Sequence, residues 1–497
     1  MATFKSTRLS STQMKLLSAL IFLPLLSAQS VTNFDLVIAG GRVMDPETGL
    51  DAVRHIGITA GKIAAISAQP LSGKTTLQAA DRVVAPGFID LHAHGQTNQA
   101  NEYQAHDGVT TALELEVGVP SVGAFLRSRE NKAILNFGAT ASHGAMRTMS
   151  MTEFASEAKS WQDTPNRWSD ISMKGRYKPL AAAEEYSLLA ANMERGLREG
   201  GLGLGVAHQY YPGATREEIF RVFQMAQRWK APIFTHVRSM GPEAMQEVIA
   251  NAAATGVALH IVHINSMSLG SLPFVLDLIE SARKQGLDIT TEAYPYTAAS
   301  TFLESTIFDD GWQERLGISY GEIQWVQTGE RLTQETFERY RKAGGAVIMH
   351  LMKPEWIRRA MASPFVMIGS DGMPYAPGAH PRSAGTFARV LGLYVREQKV
   401  LPLMDALAKM TIMPARRLEA IAPQLKNKGR IRLGADADIT VFDPSRIIDT
   451  ATFEKGLSFS IGIDHVVVNG VPVVRDGKTV PNTFPGTAVL GNYANRP

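Results

Sequence analysis

Two histidines flank one alanine in Ala85-Pro-Gly-Phe-Ile-Asp-Leu-His92-Ala-His94. The run Val83–Leu91 reads as a buried strand, and the histidines fall where it should end. Side chains two apart on a strand share a face, so both imidazoles can aim at one point. Neutral imidazole is the commonest protein ligand for a transition metal. A lone His-x-His is weak evidence, but the chain supplies more ligand-type residues in order. Thr110-Thr-Ala-Leu-Glu114-Leu-Glu116 puts two carboxylates on one strand face. Pro232-Ile-Phe-Thr-His236-Val-Arg238 and His260-Ile-Val-His263-Ile-Asn265 each place a histidine after an apolar run, and Val366-Met-Ile-Gly-Ser-Asp371 ends on an aspartate. Singly, each has a bland reading: a core histidine, a helix cap or turn former at Asp371, a solvated face at Glu114 or Glu116. A charge that closes an apolar strand nonetheless needs a partner or a metal. Four histidines and two kinds of carboxylate at the ends of five separate strands are hard to obtain from packing alone.

The elements that must position these groups alternate. Strand candidates lie at 83–92, 109–116, 134–142, 202–207, 232–238, 258–264, 288–296 and 365–371. Between them run segments such as Arg216-Glu-Glu-Ile-Phe-Arg-Val-Phe-Gln-Met-Ala-Gln-Arg, with helical spacing of apolar residues. Eight βα units predict an α/β fold, a (β/α)₈ TIM barrel whose catalytic groups gather at the C-terminal strand ends. The gap before the eighth unit is long enough to expect an insertion or lid at about 301–360. Short β-rich pieces in 34–82, answered by Gly429–Asp443 and His465–Arg475, predict a small β-sandwich domain built from both termini, with an antiparallel sheet. The expected division is residues 31–84 plus 424–485 for that domain and 85–423 for the barrel. Gly201-Leu-Gly-Leu-Gly lacks the spacing of a phosphate loop and reads as a strand with close backbone packing.

The 497 residues are 45% hydrophobic and 20% charged, ordinary for a soluble enzyme of a large barrel plus a small domain. Cysteine is absent, which excludes disulfides, thiolate metal sites and cysteine nucleophiles. Lys5, Arg8 and Lys15, followed by the mostly apolar run Leu16–Ala28, read as a secretory signal peptide over 1–28, too short to span a bilayer comfortably. The expectation is a secreted or periplasmic protein with no stable membrane span after cleavage. Removing those three basic residues takes the formal charge from +3 to 0, and no basic stripe elsewhere points to nucleic acid.

These stretches resemble the amidohydrolase superfamily, and within it the N-acyl-D-amino-acid deacylase (D-aminoacylase) family. The resemblance runs from Phe34 to about Asp476. It rests on the His-x-His stretch, Gly108-Val-Thr-Thr, Thr235-His-Val-Arg-Ser, Tyr294-Pro-Tyr-Thr-Ala-Ala-Ser-Thr, Gly369-Ser-Asp-Gly and His380-Pro-Arg-Ser-Ala-Gly-Thr-Phe. It implies metal ligation by His92, His94, His236 and His263, with Asp371 handling protons beside the metal. It also implies a cysteine ligand on the second strand, which this chain lacks. Glu116 or Glu114 can take its place, and Glu116 is nearer the strand end. The implied cofactor is one or two divalent metals, zinc first, with manganese, iron or cobalt open once the thiolate is gone. For the substrate, a small amide, the resemblance implies Arg382, Tyr294 and Ser300. The residues themselves add Arg238, on the strand face of His236, and leave Tyr296 as an alternative to Tyr294. The family's lysine two residues after the fourth histidine is Asn265 here.

The expected reaction is hydroxide attack on a linear amide, a tetrahedral intermediate, then protonation and loss of the amine. A metal lowers the pKa of water to roughly 7, and Asp371 carries the proton. A cyclic amidase or lactonase of the dihydroorotase or hydantoinase type is the alternative, weakened because no lysine ends an expected barrel strand. A catalytically inactive barrel that serves as a binding module is a remoter one, since such relatives lose several ligands.

Overall fold

The computed structural model describes residues 1–3, 33–161, 163 and 168–494. The expected signal peptide lies almost wholly outside them. The segment from Asn33 onward folds as one unit, and no described helix is long and apolar enough to cross a membrane.

The barrel is a parallel eight-stranded sheet. The N-terminal region first contributes β1 (Asn33–Asp45), β2 (Leu50–Thr59), β3 (Lys62–Ser67), β4 (Ser72–Gln78) and β5 (Val83–Pro86). Barrel strands β6 (Phe88–Asp90), β7 (Val109–Val119), β8 (Asn136–Ser142), β9 (Leu204–Ala207), β10 (Ile233–His236), β11 (Leu259–Ile261) and β12 (Ile289–Ala293) follow. Strands β13 (Ala299–Phe302), β14 (Ile323–Trp325) and β15 (Ala346–Met349) then leave the barrel, and β16 (Val366–Ile368) completes it. Each barrel strand pairs with its neighbour in sequence order, from β6 to β12 and then β16. The ring closes just past the strand ends: Ala93 bridges Gly372, and the Ser370 N–H donates to Asp90 Oδ1 at 3.0 Å.

The intervening helices form for legible reasons. In Arg216–Trp229 the Thr215 hydroxyl accepts from the Glu218 N–H at 3.0 Å, capping the first turn. Ile219, Val222, Phe223 and Ala226 bury one face at helical spacing, and Lys230 ends the helix in a left-handed conformation. On the sheet, buried threonine hydroxyls donate to carbonyls of the adjacent strand. Thr140 reaches Leu115, Thr235 reaches Val206 and Thr291 reaches Ile261, at 2.7–3.0 Å, so these buried hydroxyls are satisfied.

The expected strand 83–92 is two strands in two sheets. β5 belongs to the terminal sheet, and the chain crosses to the barrel at Gly87. Pro86 has no N–H for a ladder, and a Cβ on Gly87 would lie 2.3 Å from the Thr110 side chain. The terminal sheet is completed by β17 (Ile439–Phe442), β18 (Ile463–Val468), β19 (Val471–Arg475) and β20 (Lys478–Thr479). It is one nine-stranded sheet built from both ends of the chain, with eight strands in a hydrogen-bonded path and β4 branching off at β1. It is mixed, where an antiparallel sheet was expected, because β1 pairs in parallel with β4 along its first half and with β5 along its second. Its own apolar core includes Leu36, Ile56, Ile58, Val84, Ile439 and Val467.

The chain outside the barrel runs Ala299–Met349 as a three-stranded antiparallel sheet, ordered β13-β15-β14. The expected insertion reached to 360, but Pro354–Ala362 is the barrel helix before β16. Past the expected end of the terminal domain at 485, the chain returns to lie along β8, where the Val489 N–H donates to Phe137 O at 2.7 Å.

Candidate metal centre

Glu116 stands between two pairs of histidines. Its Oε2 is 3.1 Å from His92 Nε2 and 3.1 Å from His94 Nε2. Its Oε1 is 2.7 Å from His236 Nδ1 and 2.9 Å from His263 Nε2. Asp371 Oδ1 faces the first pair at 3.4 Å from both Nε2 atoms. Glu114, the other carboxylate open from the sequence, points instead at the back of His94, 2.8 Å from Nδ1.

Local structure explains the convergence. All of β7 is buried, and Glu114 and Glu116 share its inner face while Leu113, Leu115 and Val117 take the other. A Cβ on Gly205 would lie 2.6 Å from Glu116 O, so this glycine lets β9 pass close behind the carboxylate. His263 (φ 32°) and Asp371 (φ 51°) adopt left-handed backbone. For residues other than glycine this costs of order 1–3 kcal/mol and is typical of functional sites. The Asp371 turn is held from below: buried Asp90 accepts from the Ser370 hydroxyl at 2.5 Å and from the His92 N–H at 3.1 Å.

The donor chemistry fits a divalent metal. Glu292 Oε1 is 2.5 Å from His92 Nδ1, and Glu114 occupies His94 Nδ1. A ring nitrogen facing a carboxylate carries the proton, so the opposite Nε2 presents a lone pair. Both Nε2 lone pairs therefore point at carboxylate oxygens and, at 3.2 Å, at one another. Likewise His236 Nε2 meets Gln209 Oε1 at 2.5 Å, leaving Nδ1 to face Glu116. For neutral His92, His94 and His236, acceptor then faces acceptor, a contact that a bound metal or an added proton relieves. The donors of His92, His94, Glu116 and Asp371 lie within 4.8 Å of one another, as do those of Glu116, His236 and His263.

The electrostatics say the same. Burial opposes charge on His92 and His94, yet the carboxylates around them hold both pKa values well above the usual histidine range. Burial likewise works against Glu116 and Asp371. For Glu116 the charge of His92 and hydrogen bonds from His236 and His263 outweigh it, and for Asp371 Arg382 and the histidines do, so both stay ionised far below the usual range. Burial also works against Glu292, which His92 and His260 nevertheless bring down to about 2. The raised histidines and lowered carboxylates belong to one buried set of opposite-charge partners in direct contact.

A cavity of about 270 Å³ opens onto this centre. His94, Glu116, His236, His263 and Asp371 form its polar end, and Met240, Met267, Met349 and Met373 much of the rest. Ser300 lines it, its hydroxyl donating to Val347 O at 2.9 Å. Arg382, expected to grip a substrate carboxylate, is buried behind the wall. Its Nη1 is 2.9 Å from Asp371 Oδ2 and its guanidinium lies 4.7 Å from the Tyr294 ring centre. Tyr294 is buried with it and does not line the cavity. Tyr296 bonds to Asp449, away from the centre.

Arg238 is a correction. It forks onto Glu247, with Nε–Oε2 at 3.0 Å and Nη2–Oε1 at 2.8 Å, and its Nη1 donates to Ala214 O. Strand parity put it beside His236, but β10 ends at His236, so parity no longer applies. Asn265 is also turned inward and donates to Tyr294 O. Sequence reasoning missed Glu292 and Gln209. Glu292 had a signal: it shares parity with Tyr294 on an expected strand. Gln209 had none.

The site and the barrel define a metal-dependent hydrolase of the amidohydrolase type. The chain belongs to the amidohydrolase family, matching it over residues 178–474. It is 31% identical over 471 residues to an N-acyl-D-glutamate deacylase of Alcaligenes xylosoxydans xylosoxydans, covering 89% of this chain and 94% of that one. It is 30% identical over 482 residues to a D-aminoacylase of the same organism, covering 89% and 95%. Among solved structures it resembles an N-acyl-D-glutamate deacylase from Bordetella bronchiseptica, complexed with zinc and a phosphonate mimic of the tetrahedral intermediate. There the identity is 25%, the TM-score 0.78, and the alignment covers 92% of this chain and 100% of that one. A D-aminoacylase structure gives 26% identity and a TM-score of 0.77, covering 92% and 99%.

Proposed function

We propose that this protein is a metal-dependent deacylase that hydrolyses the amide bond of N-acyl amino acids of the D series. The observation that carries the reading is the Glu116 carboxylate held between two histidine pairs with Asp371 opposite, at the C-terminal end of a parallel barrel. The activities of the relatives named above support the substrate class and its stereochemistry.

His92, His94, Glu116 and Asp371 would hold one metal and Glu116, His236 and His263 a second, with zinc favoured by the relative that binds it. A divalent metal there supplies a Lewis acid and lowers the pKa of water to roughly 7. The chain's own residues do the rest. Asp371 presents Oδ1 to the centre while Arg382 holds Oδ2. Oδ1 is therefore placed to accept a proton from the attacking water and return it to the departing nitrogen, a contribution of about 10²–10⁴-fold. Glu292 and Glu114 keep His92 and His94 in one tautomer. The methionine wall accepts an apolar part of the substrate and excludes water from the reacting bond. Arg382, buried behind the wall with Nη1 on Asp371 and Nη2 on Ser300 O, would meet a substrate carboxylate only where the Ser300 segment moves aside. The export expected from Leu16–Ala28 belongs to the same proposal, and N-terminal sequencing of the mature protein tests it.

The experiment is a rate panel of N-acetyl-D- and N-acetyl-L-amino acids beside hydantoin and dihydroorotate, with and without added Zn²⁺. Preferential release of D-amino acids supports the reading. Faster opening of the cyclic amides overturns it.

A further inference from the structure

The cavity is small. At about 270 Å³ it lies below the roughly 300–1,000 Å³ usual for ligand pockets. It suits a compact substrate and is short for one with a long arm. Two of the segments that line it run outwards and come together again. Gln96 and Thr97 line the cavity, and Thr97 caps the helix Asn98–Ala105, which carries Tyr103 and ends at His106. Met373 and Pro374 line it too, and Tyr375 follows them. The rings of Tyr103 and Tyr375 meet at 6.1 Å between centres. Phe459, on the connection between β17 and β18, packs on Tyr103 at 4.9 Å and stacks on His106 at 3.8 Å, with the planes 10° apart. Tyr103 and Tyr375 are half-buried, and Phe459 is exposed.

Buried polar groups hold this patch in place. Ser460, next to Phe459, is buried with its Oγ 3.1 Å from Asp107 Oδ1 and 3.2 Å from Ala384 O. Asp107, next to His106, accepts from the Phe387 and Ala388 N–H groups, both at 2.8 Å. A Cβ on Gly456 would lie 1.4 Å from Ala379 O, so the Phe459 connection is pressed against the segment that carries Tyr375. His106 Nε2 is 2.9 Å from Thr479 Oγ1, whose hydroxyl donates to Glu102 Oε1 at 2.6 Å. Burial pushes the His106 pKa down to about 4, so the ring beneath Phe459 is uncharged at neutral pH. The polar side chains below are thus spent on one another, and the patch offers a ligand chiefly ring surface. Contiguous exposed apolar surface marks a binding region. Held rigid beforehand, it binds without the cost of ordering its side chains.

We propose that Tyr103, Tyr375 and Phe459 form an outer subsite for an unbranched aliphatic acyl arm that leaves the cavity past Met373 and Pro374. The preferred substrates then carry medium-length acyl chains, with acetyl a poorer one. The inference rests on the deacylase reading above.

The test is a series of N-acetyl-, N-butanoyl-, N-hexanoyl- and N-octanoyl-D-leucine, with kcat and KM taken for the wild type, Phe459→Ser and Tyr375→Ser, and circular dichroism to confirm folding. A methylene taken fully out of water gains about fourfold in binding, so a few half-covered on the rings should lower KM by about tenfold from acetyl to octanoyl. The wild type should show that fall, with kcat little changed. Phe459→Ser should lose most of it, and Tyr375→Ser makes the same test if the first variant does not fold. Phe274→Ser, at an exposed phenylalanine outside the cavity lining, should keep it. A KM that is flat or rises with chain length in the wild type, or a fall that persists in the folded ring variant, overturns the proposal. Hydrolysis of no member of the series would refute the deacylase reading itself, and the proposal with it.

Discussion

Buried charge is handled in opposite ways at the two ends of this barrel. Where the terminal sheet meets the barrel, Lys428 is buried with Asp438 at 2.7 Å and Asp436 at 2.9 Å. Asp438 also accepts from the Asn136 amide at 3.0 Å and from the Asn469 N–H at 2.6 Å, so every charge there has its complement. At the opposite end, Glu116 is just as buried, but four imidazoles surround it and, among the described residues, no lysine or arginine forms an ion pair with it. The first cluster is finished by the chain alone. The second needs a cation from outside, and that deficit is the physical signature of its function.

The contrast can be broken from the site side first. Glu116→Gln removes a donor from both pockets at once. Turnover should fall to background, beyond the loss at any other single position, while the melting temperature of the metal-free protein stays level or rises. Asp371→Asn should come next, lowering kcat by about 10²–10⁴-fold with metal still bound. Retained wild-type turnover would remove Asp371 from the mechanism.

The junction should answer in the other currency. Lys428→Met leaves buried Asp438 without a charged partner, while Asp436 keeps Lys62; it should cost about 3–5 kcal/mol of stability, with kcat per folded molecule unchanged, read by urea unfolding beside initial rates. A related effect is expected at Glu218. Burial works against its carboxylate, but the hydrogen bond and charge of His143, with Arg147 behind, bring its pKa down to about 2. Unfolded, the group titrates near about 4.3. Its folded pKa is depressed, so its contribution, on the order of 3 kcal/mol, is present above that value and lost as pH falls towards 2. Glu218→Gln should flatten this part of the acid unfolding curve. The smallest effect belongs to Arg238. Paired with Glu247 outside the cavity, it should leave kcat/KM nearly unchanged on truncation to alanine, with a stability loss of about 0–1 kcal/mol. A large rise in KM would return it to the substrate site.

What could be read from the sequence follows the range of the interactions. The barrel strands are apolar runs ending in ligand-type residues, a local pattern, so all eight lie where they were expected. Parity put Glu114 and Glu116 on one face but could not separate them. The separation depends on His94 turning Nδ1 to one carboxylate and Nε2 to the other. The crossing at Gly87 was hidden because both strands are apolar and only their partners differ. Arg238 was misplaced because Glu247 lies on the following helix. Glu292 was overlooked because His92, which it holds, lies 200 residues away.

The most direct measurement is metal content read beside turnover. The protein is analysed by mass spectrometry for divalent metals as purified, after dialysis against a chelator, and after Zn²⁺ is restored, with the hydrolysis rate of an N-acetyl-D-amino acid taken at each stage. The account predicts that metal and rate disappear together and return together. A metal-free protein that hydrolyses the amide at its full rate would contradict it.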